Sequence, residues 1–210
     1  MIGAVTGLVA EARIAARLVA LVDAGGGGAA GAAIAAQRLV GRGASGLISF
    51  GLAGGLDPAL MPGTILIPPL VLLDGVAWQA HPKMTAALGG PTPGAIYGGG
   101  EVVAGVMAKA ALHARTGAVA VDLESAAVAQ VAARHELPFA VLRVICDPAG
   151  RDLPPAALVA LDAAGQIGAW RVAMSILGRP SQVPALIALG RDAALARRAL
   201  VTRVQAIGRL

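Results

Sequence analysis

Two short stretches of this chain carry the residue types that sugar and acid–base chemistry require. Asp122-Leu123-Glu124-Ser125 follows an apolar run and precedes an alanine-rich one. A carboxylate such as Glu124 can accept hydrogen bonds from two vicinal hydroxyls at once, which suits a ribose diol. The same tetrapeptide also reads as a helix start, with Asp or Ser capping and Glu favoured by the helix dipole in the first turn. Further on, Arg143-Val144-Ile145-Cys146-Asp147-Pro148 ends a second apolar run. An arginine there needs an anionic partner, because burying a lone charge is costly. Glu124 is a candidate, either in a structural ion pair or in a pair that floors an active site. Strand alternation predicts Arg143, Ile145 and Asp147 on one face, with Val144 and Cys146 on the other.

The elements that must position these groups follow from pattern. Ile2–Val9 reads as a strand, Glu11–Val22 as a helix, and Asp23–Gly31 as a glycine-rich turn into a helix ending near Gly41–Gly43. Gly46–Leu52 is a buried strand running into Ala53-Gly54-Gly55; Thr64–Leu73 is another, interrupted by Pro68 and Pro69. Residues 74–100 read as loop with short strands. Helices are expected over Val103–Arg115, Glu124–His135, Pro155–Leu177 and Val183–Ile207, and strands over Ala118–Val121 and Leu137–Cys146. Strands alternating with helices indicate an α/β domain with both sheet faces covered. No internal repeat or long linker divides residues 1–210, so a single domain is expected. In such sheets ligands collect at the carboxyl ends of strands, here Thr6-Gly7, Gly51–Leu56, Asp122–Ser125 and Cys146–Gly150.

Composition narrows the function classes. Hydrophobic residues make up 57% of the chain but aromatics only 2%, so the core must be aliphatic and its helices thin. The net charge of +5 comes without aromatic interleaving, which argues against a nucleic-acid partner. Arg191, Arg197, Arg198, Arg203 and Arg209 fall in a C-terminal helical stretch that reads as a solvated face, or as weak attraction to an anionic membrane surface or substrate. No apolar run reaches the length of a membrane span, and Met1–Ala10 lacks the basic flank of a secretory leader. With Cys146 as the single cysteine, a cytoplasmic location is expected. His81, His113 and His135 lack ligand spacing, so no metal is expected; His135 reads as a helix-end residue.

Val121–Gly150 (VDLESAAVAQVAARHELPFAVLRVICDPAG) resembles the signature of the purine nucleoside phosphorylase and methylthioadenosine/adenosylhomocysteine nucleosidase superfamily. Ser49–Pro68 resembles its glycine-rich loop and following strand, MIGAVTGLVAEARI its first strand and helix, and Ala24–Gln37 its glycine turn and second helix. The matches are collinear over roughly residues 1–72 and 95–180. The resemblance implies a three-layer αβα sandwich with a mixed, partly barrel-like central sheet, no cofactor, and a homo-oligomer. It also implies roles: Glu124 for the ribose, Leu123 packed under the sugar, Asp147 donating a proton to purine N7, and Arg143 on the side of the attacking water or phosphate. Glu101, Val102 and Val103 would line the base. Gly7, Gly51, Leu52, Ala53 and Gly54 would supply backbone to the pocket. The implied substrate is a small adenosyl nucleoside, whose adenine leaves more readily once N7 is protonated.

The nucleophile half departs from the family pattern. The nucleosidases hold water with a glutamate after the first strand; the ungapped position here is Ala12, with Glu11 preceding it and turned about 100° around a helix. The phosphorylases use an arginine and a serine in the glycine loop, where Ser49 and Leu52 stand. If phosphate is the co-substrate, Arg13 or Arg42 is a candidate ligand with Ser49; each also reads as an ordinary surface arginine. TGLVAEARIA with FGLAGGLDPAL is most similar to hopanoid-associated phosphorylases, which implies a lipid-linked substrate such as adenosylhopane; the shortened 74–100 region would accommodate a bulky 5′ group. A methylthioadenosine/adenosylhomocysteine nucleosidase and a catalytically inactive nucleoside binder are the alternatives. A dinucleotide module on Gly25–Gly28 is weaker, since no acidic residue follows at the end of a second strand.

Overall fold

The computed structural model describes residues 1–158 and 178–210. Its centre is β3 (Gly46–Gly55), paired in parallel with β1 (Ile2–Thr6) on one edge and β9 (Phe139–Asp147) on the other. β1 in turn pairs in parallel with β2 (Leu21–Ala24). At Gly54 and Gly55, β3 meets β8 (Ala118–Asp122) antiparallel, and the sheet continues through β7 (Ala95–Gly98), β5 (Leu70–Leu73) and β6 (Val76–Gln79). β4 (Ile65–Leu66) pairs antiparallel with β9. The result is a mixed nine-stranded sheet that branches at β3.

Alternation along the central strands feeds two aliphatic cores. Val5, Leu47 and Val141 point to one face, where they pack on α2 (Ala29–Gly41) and α5 (Ser125–Arg134). Ala4, Ile48 and Leu142 point to the other, covered by α1 (Val9–Ala15) and the long C-terminal helix α7 (Val183–Ile207). These are the three layers expected. Ala32, Ala35 and Ala36 of α2 and Ala126, Ala127 and Ala129 of α5 are buried in the first core. Small side chains let those helices approach one another and the sheet, which compensates for the near absence of aromatics.

Several expected boundaries move. The first helix ends at Ala15, not Val22, because Leu21–Ala24 pairs with β1 and becomes an edge strand. Pro68 and Pro69 split the expected Thr64–Leu73 strand into β4 and β5, since proline cannot donate to a ladder. Residues 74–100 are more regular than expected, with β6, α3 (Pro82–Ala87) and β7. α4 (Val106–Thr116) begins after Val103, leaving that residue in the preceding loop. The helix expected over Pro155–Leu177 is seen as α6 (Pro155–Leu158); its remainder lies outside the described residues. No helix among the described residues is long and apolar enough to cross a membrane.

Candidate active site

The carboxyl ends of β1, β3, β8 and β9 converge on one cavity of about 310 Å³. That volume is near the lower end of small-molecule pockets, which run from about 300 to about 1,000 Å³. Glu11, Glu124, Arg143 and Asp147 all line it, and Gly7, Leu52, Ala53, Gly54 and Leu123 complete the floor and sides. Glu101, Val102 and Val103 form the wall before α4. Gly51 and Ser49 lie just behind the lining, both buried. The expected convergence of four strand ends is therefore observed.

Glu124 reaches the cavity because another residue does the capping. Asp122 Oδ1 accepts from the Ser125 amide at 2.9 Å, and its other oxygen accepts from the Ser125 hydroxyl. The cap and the pocket carboxylate are thus separate residues. Arg143 ties them together: its Nη2 lies 3.0 Å from Glu124 Oε2 and donates to Ser49 Oγ at 2.7 Å, and its Nη1 donates to the Leu52 carbonyl. Its Nε lies 2.7 Å from Asp122 Oδ2, an ion-pair distance, although the N–H does not point at that oxygen. The guanidinium is 1% exposed, so the anionic partners demanded by its burial are both present.

Glu11 also faces inward. Its two oxygens accept from the Leu8 amide at 2.9 Å and the Leu52 amide at 3.0 Å, and the side chain is buried. The carboxylate that sequence alignment left one position out of place is therefore brought to the pocket by its own helix, as the third residue of the first turn bonding back to the cap amide. Gly51 makes this possible, because a β-carbon there would come 2.8 Å from both Glu11 Oε1 and Arg143 Nη1. Gly7 is similarly constrained: its β-carbon would sit 2.7 Å from Glu124 Oε1.

Asp147 arrives by a route that simple alternation misses. Ala53 pairs with Ile145, but the next residue, Gly54, pairs with Asp147, so Cys146 is skipped by a bulge. Asp147 takes the register position that Cys146 would have held, and both line the cavity. The expectation that Asp147 shares a face with Arg143 and Ile145 is corrected on this ground. Asp147 Oδ2 lies 2.7 Å from the Lys109 ammonium, while Oδ1 is buried without a hydrogen-bond partner among the described residues.

Burial dominates the electrostatics. It pushes the Glu124 carboxyl up to about 7 against the pull of Arg143, with Asp122 and Glu11 adding to the rise. Burial likewise raises Glu11 despite Arg143, and raises Asp147 despite Lys109. The Cys146 thiol is pushed up to about 12 by burial and then by the neighbouring Asp147, so it is no nucleophile. Burial alone would weaken the Arg143 cation, but Asp122, Glu124 and Glu11 together hold it protonated. The pocket thus offers protonatable carboxyls at opposite sides of a fixed guanidinium.

The candidate phosphate ligands are not gathered here. Arg13 is exposed, two residues beyond inward-facing Glu11 on α1 and so turned away from it; Arg42 is exposed, with its Nη1 directed at the Val22 carbonyl. Ser49 is spent on Arg143 and Ser125. Residues 74–100 contribute nothing to the lining; the apolar wall comes instead from Leu8, Leu153, Ala157, Leu189 and Ala193. Sequence reasoning did not single out Lys109, whose place in the alanine-rich α4 gives no sign of burial, nor Asp122 as a partner of Arg143. Among the described residues no cluster of side chains could hold a metal ion.

Residues 5–167 match the family model of the Phosphorylase superfamily. Among curated proteins, none matches in sequence. Solved structures of the same fold include a 5′-methylthioadenosine/S-adenosylhomocysteine nucleosidase from Colwellia psychrerythraea 34H in complex with adenine, at 21% identity over 84% of this chain and 94% of that one, with a TM-score of 0.66. The corresponding nucleosidase from Neisseria meningitidis, in complex with methylthio-immucillin-A, shares 18% identity over 97% and 96%, with a TM-score of 0.67. A futalosine hydrolase of Helicobacter pylori strain 26695 shares 16% over 98% and 97%, with a TM-score of 0.68. These likenesses are of fold; the match of most of the sequence to one family model goes further, and by it the chain belongs to the Phosphorylase superfamily.

Proposed function

We propose that the protein is an enzyme that hydrolyses the N-glycosidic bond of an adenosine-type nucleoside and releases adenine. The observation that carries this is Asp147 Oδ1, buried and without a partner among the described residues at the cavity that Glu124 and Arg143 also line. A protonated Asp147 donates to purine N7 from that oxygen, so the electron pair of the breaking C1′–N9 bond leaves on a neutral base. Glu124 accepts from the ribose hydroxyls, and its charge stabilises the oxocarbenium character that develops in the sugar. Water adds to C1′ and passes its proton to Glu11.

Water is favoured over phosphate by the local charge. Arg143 is the one cation lining the cavity among the described residues, and it already faces Asp122, Glu124 and Glu11. A phosphate dianion would enter an acidic surround with no spare positive partner. Nucleosidase structures of the same fold that contain adenine or a nucleoside analogue support the substrate class. Adenine release measured with and without inorganic phosphate tests the mechanism: equal rates are expected, and strict phosphate dependence would replace hydrolysis by phosphorolysis.

The 5′ substituent is proposed to be apolar, because Leu153, Ala157, Leu189 and Ala193 wall the cavity. A lipid-linked adenosyl compound of the adenosylhopane type is the finer proposal, supported by the sequence resemblance at residues 6–15 and 50–60. Turnover of adenosylhopane against methylthioadenosine decides it; strong preference for the latter would end the lipid proposal.

A further inference from the structure

Among the described residues, Lys109 is the buried cation that the chemistry above leaves unused. It comes from α4, is 0% exposed, and has three acceptors for its three N–H bonds: Asp147 Oδ2 at 2.7 Å, the Arg151 carbonyl at 2.7 Å and the Pro148 carbonyl at 3.0 Å. A lysine donating three times is an ammonium, and full desolvation of that charge is tolerated only with such complete pairing. The same three bonds fasten the turn that follows β9 to α4.

We propose that Lys109 is the positioning residue that makes Asp147 a one-sided proton donor. The ammonium occupies Oδ2, so a proton on the carboxyl is directed to Oδ1, the oxygen left without a partner. After Oδ1 gives its proton to the purine, the carboxylate that remains is met at once by the fixed ammonium. The positive charge therefore favours the donated state, and it does so without moving. This inference rests on the adenine-releasing reaction proposed above, with Asp147 as the acid.

Other charges face Asp147 and must be counted. Arg151, in the turn after β9, supports the ionised form, whereas Asp192 of α7 opposes it and is itself ion-paired to Arg151. Arg151 and Asp192 act in opposite senses and more weakly than Lys109, which is the charged neighbour in direct contact. Cys146 stays protonated and contributes no charge. Burial still holds the carboxyl above its ordinary range, so the acid is both available and readily spent.

The test compares wild type, Lys109→Met and Lys109→Arg in two measurements. In carbon-13 NMR titration of the aspartate carboxyls, which needs no turnover, Asp147 in Lys109→Met should titrate higher than in wild type by roughly one unit or more. In steady-state assays, kcat of Lys109→Met should fall by about tenfold or more, with KM little changed and the alkaline limb of the profile moved upward. Lys109→Arg, which keeps a charge, should recover part of the loss and return the limb. An unmoved Asp147 titration, or a loss confined to KM, overturns the proposal even if adenine is released. If wild type releases no adenine, the hydrolytic reading fails, while a raised titration in Lys109→Met would still establish the coupling. Should Lys109→Met not fold, Lys109→Arg decides: an Asp147 titration displaced upward as far as burial alone would carry it overturns the proposal.

Discussion

Gly51 stands against both Glu11 and Arg143 and leaves no room for a methyl group beside them. A β-carbon at that position would stand 2.8 Å from the nearest atom of each. The carboxylate that accepts from Leu52 and the guanidinium that donates to the Leu52 carbonyl are held on either side of one strand residue. Gly51→Ala should therefore displace both, and the φ of +152° at this position adds backbone strain to the clash. A misplacement of about 1 Å can cost on the order of a hundredfold in rate, so adenine release should fall by that order while circular dichroism stays unchanged.

Asp147→Asn should abolish protonation of the leaving base. The expected loss in kcat is about two to four orders of magnitude. Substrate binding, measured by calorimetry, should survive, because the ribose contacts of Glu124 are separate. An unchanged release rate would point to a nucleoside-binding protein whose background activity comes from elsewhere.

Stability should fall as pH rises. The folded state holds a proton on Glu124 up to about 7, whereas the unfolded chain releases it near its ordinary value of 4.5. More protons bound in the folded state means that stability is greatest below the ordinary value and declines as pH climbs through about 7. Glu11 and Asp147 are raised as well and act with the same sign. Thermal denaturation between about pH 5 and about pH 8 should show the decline, and Glu124→Gln should flatten part of it.

Arg143→Met should be costly in a pH-dependent way. Removing one partner of a buried charge cluster typically destabilises by about 3 kcal/mol or more. Here the orphaned carboxyls can take up protons, so the deficit in urea denaturation should shrink as pH falls. A deficit independent of pH would mean that Arg143 acts mainly through its packing.

Glu11→Gln should lower the rate with water as nucleophile while leaving nucleoside binding intact. The amide keeps the shape and one acceptor oxygen but cannot take a proton. A rate restored by adding a small external base would support the role assigned to Glu11, and an unaltered rate would remove it.

Much of this site could be read in the sequence, and the failures have physical causes. The need of Arg143 for anionic partners follows from its apolar neighbours alone, and the structure supplies Glu124 and Asp122. Glu124 escaped assignment as a mere cap only through its likeness to a known motif, since capping and ligand binding favour the same residue types at a helix start. Glu11 could not be placed because its direction depends on where α1 begins, and a one-residue uncertainty there is a third of a turn. Lys109 left no trace: a lone lysine among alanines describes a solvated helix face as well as a buried ammonium. The long first helix was overestimated because Leu21 and Val22 fit both periods.

The bulge at Cys146 has a further consequence, one of counting. Which side of the sheet Asp147 addresses is a matter of parity, fixed by the ladder position it fills, opposite Gly54, and not by the identity of the residue skipped before it. Replacing Cys146 by serine or alanine leaves that position filled by Asp147 and so keeps the acid aimed. A regular ladder that kept Cys146 would set Cys146 opposite Gly54 and pass Asp147 one place on, turning its carboxyl away from Lys109. In lineages of this fold, tolerance at the skipped position should therefore extend to many side chains, so long as the acid stays opposite the glycine of the central strand.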